Sequence, residues 1–214
     1  MPEIVLCKIC QRRRARRLCP AVEGDICPVC CGENREVTLL CPLECEYLRE
    51  AHAREKPLPV DERQLGYPEV SVGEEFLRSH HELLMFSVYS LFQAALRTSG
   101  AVDEDVIAAL DASIQTHRTL ESGLVYEHAA KNSVAASVQR LFDASLADYG
   151  KLREEREGLS PLRNTEILQM LVFLQRVGLR NRNGKPKGRM YMDLLRQMVP
   201  PDTRGDERAP SIIL

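Results

Sequence analysis

Tryptophan is absent from the 214 residues, and the aromatic share is only 5%. A core built from this chain must be filled mainly by Leu, Val and Ala, which suits packed helices. No apolar run is long enough to span a bilayer, which needs about 20 residues. The longest lies near residues 83–96; Ser and Gln interrupt it, and His81, Glu82 and Arg97 flank it. No basic stretch followed by an apolar segment stands at the N-terminus, so no secretory signal is expected. A cytoplasmic location without a membrane partner follows as an expectation, and there thiols stay reduced. No Walker motif, Gly-rich dinucleotide fingerprint or Gly-x-Ser-x-Gly elbow occurs. With no catalytic constellation in sight, a non-enzymatic protein is expected.

Cysteine is missing after residue 45, yet all eight cysteines crowd between Cys7 and Cys45. In a reducing compartment this density points to metal binding rather than to disulfides, with redox-active or free thiols as the alternative. The order is Cys7-x2-Cys10, Cys19, Cys27-x2-Cys30-Cys31, then Cys41-x3-Cys45. Each Cys-x-x-Cys pair is a knuckle whose turn brings two sulfurs to one point and aims backbone N–H groups at them. Eight thiolates make two sets of four, the coordination number of structural zinc, so two zinc ions are expected. An iron–sulfur cluster is the alternative.

An extended chain at Cys30-Cys31 would point the neighbouring side chains in opposite directions. The simplest partition then places Cys7, Cys10, Cys27 and Cys30 on one ion, and Cys19, Cys31, Cys41 and Cys45 on the other. Other pairings satisfy the same cysteines. Cys41-Pro42-x-x-Cys45 reads as a helix start with proline at the first helical position. His52 stands close enough to replace one cysteine. Two sites closed by four thiolates leave no open coordination position and would be structural.

Net charge is −2 but uneven. Residues 51–162 carry 11 basic against 18 acidic side chains, and residues 163–198 carry 8 against 2. Two basic stretches stand out. Arg12, Arg13, Arg14, Arg16 and Arg17 lie inside the cysteine module. Arg176, Arg180, Arg182, Lys185, Lys187 and Arg189 lie near the C-terminus. Both are candidates for contacting nucleic-acid phosphates. The plainer readings are compensation of thiolate charge in the first case, and in the second a solvated connector or docking onto the acidic middle of the chain. Tyr191 is the only aromatic near the second stretch, so a base-stacking platform is poorly supported.

Three prolines and a glycine within residues 56–70 mark a linker lying on a surface. Ser71 to Glu74 fits a capping box opening a helix to about residue 98, with Phe76, Leu77, Leu83, Leu84, Val88, Leu91, Phe92 and Ala95 as its apolar stripe. Further helices are expected near 104–121, capped by Asp103 and burying Val106, Ile107, Leu110, Ile114 and Leu120. Others follow near 133–156, near 162–178 after a Ser160-Pro161 cap, and near 187–198 after a turn at Asn183-Gly184. The fold class is therefore mainly α: a small N-terminal double zinc module, then an antiparallel bundle of four to five helices. The boundaries are 1–55 for the module, 56–70 for the linker, 71–199 for the bundle and 200–214 for a disordered tail. His80, His81, His117, Glu121 and His128 lack the Glu-x-x-His pairing of a di-metal site and read as ordinary polar positions. A polar pocket around His117 or His128 would favour an enzyme.

Residues 26–32, Ile-Cys-Pro-Val-Cys-Cys-Gly, followed by Arg35 and Cys41-Pro42-x-x-Cys45-x-Tyr47-Leu48, resemble a bacterial family of zinc-binding proteins with an N-terminal cysteine cluster. Phe173 to Arg176 and Gly188-Arg189 resemble that family's C-terminal region. The family has no assigned activity, so the resemblance implies the architecture and no reaction. The cysteine order is also loosely similar to treble-clef fingers of the HIT and MYND type, which mostly bind proteins; the spacing differs and their usual histidine ligand is missing. The expectation for function is a zinc-stabilised adaptor with a protein partner. A nucleic-acid-binding protein is the alternative, and it requires both basic stretches to share a face.

Overall fold

The computed structural model describes residues 5–61, 65–157 and 161–199. The expected tail at 200–214 and the Ser160 cap lie outside them.

Turns rather than a hydrophobic core shape the first 45 residues. The knuckle after Cys7 closes with Gln11 N–H on the Cys7 carbonyl at 2.8 Å and Gln11 at a left-handed φ of 52°. The chain then runs back antiparallel, with Leu6 opposite Arg14. Strand β1 (Arg17–Cys19) pairs antiparallel with β2 (Gly24–Ile26), Leu18 facing Asp25 across the ladder. Helix α1 (Pro28–Asn34) follows, with proline at its start and Cys27 as N-cap. Cys30-Cys31 is therefore helical, not extended as the sequence suggested; successive helical residues still differ by about 100° in direction. Residues 41–45 form a turn, and helix α2 (Glu46–His52) begins only after Cys45. The expected helix start at Pro42 is thus four residues too early, because Cys45 N–H bonds to the Pro42 carbonyl and closes a turn first.

The remainder is helical: α3 (Glu74–Ser79), α4 (His81–Arg97), α5 (Asp103–Glu121), α6 (Ser133–Glu157), α7 (Asn164–Asn181) and α8 (Met190–Met198). The single helix expected across residues 72–98 breaks at His80. Ser79 Oγ bonds back to the carbonyls of Glu75 and Phe76, and His80 stacks on the Phe76 ring. Such local bonds compete with the helical ladder. Gly73, not Ser71, takes the N-cap, and Gln169 holds the Ser71 carbonyl. Helix α5 packs on α6 and α7, and α4 on α6, α7 and α8. The core they share contains Leu83, Leu91, Leu110, Ile114, Phe142 and Leu171. Leu120, expected inside, is exposed near the end of α5.

Residues 65–70 lie against this bundle. Leu65 is buried, Tyr67 Oη donates to Asp111 at 2.7 Å, and Arg176 donates to the Tyr67 carbonyl at 2.7 Å. Leu43 and Leu48 enter the bundle core, so the end of the cysteine-rich segment is built into the helical part. Among the described residues no helix is long and apolar enough to cross a membrane.

Candidate metal centre and its junction with the bundle

Four sulfurs converge. One ligand atom from each of Cys7, Cys10, Cys27 and Cys30 lies within 4.8 Å of the others. The knuckles place them: Cys7 and Cys10 flank the first turn, Cys27 caps α1, and Cys30 sits on its first turn. Backbone N–H groups point at the sulfurs, as Cys30 N does towards Cys27 Sγ at 3.4 Å. Against its burial, the N–H groups of Cys10, Cys27 and Ile9 lower the Cys7 thiol to about 6. Burial and the neighbouring thiols of Cys27, Cys10 and Cys7 push Cys30 up to about 12. Four such groups cannot all ionise without a cation between them.

The donor set fits zinc. Zn–S bonds of about 2.3 Å in a tetrahedron put sulfurs about 3.8 Å apart, within the reach of this cluster. The four cysteines could hold a metal ion; among the described residues they are the one such group. The other four cysteines do not close in the same way. Cys31 Sγ accepts from Arg17 Nη1 at 3.4 Å and from Arg35 Nη2 at 3.6 Å. Burial pushes Cys41 up to about 11, and the charges of Cys45, Glu36 and Cys19 act in the same direction.

The arginine run divides by strand alternation. Arg17 lies over the Tyr47 ring at 4.3 Å as well as on Cys31. A side-chain hydrogen bond with Cys27 holds the Arg13 guanidinium above its ordinary value. Arg12, Arg14 and Arg16 are exposed and form no ion pair among the described residues. So Arg13 and Arg17 serve the sulfurs, and their neighbours face outward.

The second basic stretch is largely engaged inside the molecule. Arg182 pairs with Glu104, and Lys185 with Glu55 at 2.7 Å. Lys187 donates its amide to the Glu36 carbonyl at 2.8 Å. Arg189 is buried on the Cys41 carbonyl at 3.1 Å. Arg176 holds the 66–70 carbonyls, and Arg180 also has an interaction partner. The two stretches share a cleft of 380 Å³, where Arg17, Arg35, Arg54 and Lys185 stand with Glu50 and Glu55.

A buried charge cluster, not foreseen from sequence, fastens the module to the bundle. Glu36 is fully buried and sits at a left-handed φ of 58°. Its carboxylate accepts from Asn183 Nδ2 at 2.8 Å and Arg189 N at 2.7 Å, and meets His52 Nε2 at 2.9 Å. His52 Nδ1 meets Asp193 of α8 at 3.1 Å. Both ring nitrogens are occupied by carboxylates, so His52 is not placed as a metal ligand. Burial alone would lower the His52 pKa, but Asp193 and Glu36 outweigh it and push it up to about 9. Burial works against Glu36 and Asp193 too, yet His52 holds both carboxyls below their ordinary values. Asp103, expected to cap α5, instead accepts from the Tyr191 and Met192 amides at 2.9 and 3.0 Å and so caps α8.

No family model, curated protein or solved structure matches the chain. The comparisons thus give no support to the resemblance to a zinc-binding family; the structure supports only that Cys7, Cys10, Cys27 and Cys30 could hold a metal ion. Of the histidines, His117 Nδ1 bonds Asn164 Oδ1 at 2.5 Å and lines an open cavity of 490 Å³ with His128, Glu127 and Asp143. His80 meets Glu166 at 3.3 Å.

Proposed function

We propose that the chain is a non-enzymatic, zinc-stabilised adaptor that binds a protein partner. Cys7, Cys10, Cys27 and Cys30 hold one zinc ion; Cys19, Cys31, Cys41 and Cys45 hold the second once Cys31 is drawn from its arginines. Thiolate quartets suit zinc and leave no site for substrate, so each ion fixes loops rather than performing chemistry. Rigid loops display contacts at little ordering cost. The observation that carries the reading is the aliphatic surface of this module: Val5, Leu6, Ile9, Leu18 and Val29 are all exposed on it. A module with so small a core of its own leaves these residues outside.

The alternative is RNA or DNA binding through the two basic stretches. Its support is the outward Arg12, Arg14 and Arg16, without ion pairs among the described residues, and the shared cleft. Against it, Arg182 and Lys185 of the C-terminal stretch are ion-paired within the molecule, and Arg176, Lys187 and Arg189 are bonded to its carbonyls.

The test is affinity capture from extract of the source organism, using the zinc-loaded chain and a chelated control, with and without nuclease. A stoichiometric protein retained after nuclease and lost on chelation supports the adaptor. Capture abolished by nuclease selects the alternative, and capture of neither class ends both readings.

A further inference from the structure

We propose that the outward face of the ribbon formed by residues 5–8, 13–19 and 24–26 binds an extended acidic peptide segment of the pattern acidic-x-acidic-x-aliphatic. This rests on the adaptor reading and names the surface and the partner chemistry.

Alternation along residues 14–18 puts Arg14, Arg16 and Leu18 on one face, and Ala15, Arg17 and Cys19 on the other. Burial follows that split, the first three being exposed and the second three partly covered. Register brings Leu6 beside Arg14 and Asp25 beside Leu18. Leu6 and Leu18 are 52% and 68% exposed, unusual for leucines whose neighbours are anchored. The face thus reads as two cations followed by an aliphatic side chain, with Asp25 at its far end. Both guanidiniums are exposed and without ion pairs among the described residues, so a carboxylate can approach them without displacing a described partner.

Same-face residues of a strand repeat at roughly 6.6–6.8 Å. Alternate carboxylates of an extended peptide repeat at that interval too, and a guanidinium takes a carboxylate through paired N–H donors. The aliphatic end then favours a polypeptide over a nucleic acid. Single-stranded nucleic acid is typically held by bases stacked on aromatic side chains, and the ribbon has none; Tyr47 lies beneath Arg17, away from this face. Exposed ion pairs are individually weak, so two arginines with one apolar contact make a modest, salt-sensitive site.

The experiment is fluorescence anisotropy on the full, zinc-loaded chain. The probe is a labelled synthetic peptide repeating Glu-Ser-Glu-Ser-Leu, compared with a Lys-for-Glu version and with labelled polyuridylate. The Glu peptide should bind and the Lys peptide should not. Arg14→Glu with Arg16→Glu should weaken binding about tenfold or more. Leu18→Ser should weaken it about threefold without changing the salt dependence. All these side chains are exposed, so unchanged zinc and thiol content will show that the variants fold. Tighter binding of polyuridylate, or Glu-peptide binding indifferent to the Arg14 and Arg16 changes, overturns the proposal. A nuclease-resistant partner still captured by the Arg14→Glu, Arg16→Glu variant removes this face and leaves the adaptor reading standing.

Discussion

The helical part buries Leu83, Leu91, Leu110, Ile114, Phe142, Met170 and Leu171 in one continuous core, whereas the centre of the cysteine module consists of Cys7, Ile26, Cys27, Cys30 and Cys31. The first list is hydrocarbon that leaves water willingly. The second has one aliphatic side chain, and its thiols oppose one another unless a cation joins them. One part of the chain can therefore support itself, and the other is expected to depend on the metal ion that Cys7, Cys10, Cys27 and Cys30 could hold. Removing the metal is the most direct way to separate them. A chelator should abolish the dispersed amide signals of residues 5–35 while most helical circular dichroism from α4 to α7 survives. Structural zinc is worth about 10–16 kcal/mol in small finger peptides, so this is the largest expected effect. Unchanged spectra in a chelated, metal-free sample would show that the module needs no ion.

The contrast blurs at the junction, and there it can be broken. Glu36 lies between the cysteines of the module but directs its carboxylate at His52, Asn183 and the Arg189 amide. Glu36→Ala leaves His52 facing Asp193 alone and the buried Arg189 amide without its carboxylate, while half-buried Asn183 keeps only Glu55 at 3.5 Å. A loss of about 3–5 kcal/mol is expected, the usual cost of removing one partner from a buried pair. Urea unfolding would measure it. If the loss appears only in the module's transition, the two parts are energetically separate despite their contact. A loss shared by both makes them one cooperative unit.

pH sharpens the same point. His52 rises from about 6.5 unfolded to about 9 folded, so the stability it contributes is complete below about 6.5 and disappears as pH climbs through 9. At about 1.4 kcal/mol per unit, the alkaline loss is about 3 kcal/mol at most. Glu36 and Asp193 act in the opposite sense: their contribution is present above their ordinary values and is lost in acid. Asp103, raised to about 6 chiefly by burial, loses its contribution as pH rises towards 6. Stability curves of the parent and His52→Gln should therefore diverge below pH 9 and converge above it. Parallel curves would remove His52 as the titrating group.

Legibility followed the range of the interaction. The Cys-x-x-Cys knuckles and the apolar stripes of α4 to α7 depend on neighbours a few residues away, and pattern reaches that far; the turn expected at Asn183-Gly184 instead falls at Pro186-Lys187, where Gly188 N–H closes on the Lys185 carbonyl. Cys7, Cys10, Cys27 and Cys30 converge as one possible metal-holding group although Cys30-Cys31 is helical and not extended, because the helical rotation of about 100° also directs the two sulfurs apart. His52 and Asp193 are 141 residues apart and Glu36 and Arg189 are 153 apart, so no local signal announces their meeting. Asp103 carried a correct capping signal for the wrong helix, because the α8 amides offer it better donors than its own first turn. The basic C-terminal stretch looked available for the same reason: its partners Glu36, Glu55 and Glu104 are distant in sequence.

The smallest effect tests the bundle without touching the module. Gly178 lies within α7, and a β-carbon there would sit 2.7 Å from Tyr191 Cε1, 2.9 Å from its Cδ1 and 3.1 Å from Ile107 Cγ1. The Tyr191 ring cannot swing aside easily, because it is wholly buried and its hydroxyl donates to the Leu174 carbonyl at 2.9 Å. Gly178→Ala gains up to about 1 kcal/mol of helix propensity but forces α7 and α8 apart, which costs typically about 1–3 kcal/mol. A net loss of about 1–2 kcal/mol is expected in thermal unfolding, with zinc content unchanged. Since α8 also carries Asp193, a drop in zinc retention in this variant would mean that the bundle holds the metal module in shape, and that the separation between the two parts is less complete than their cores suggest.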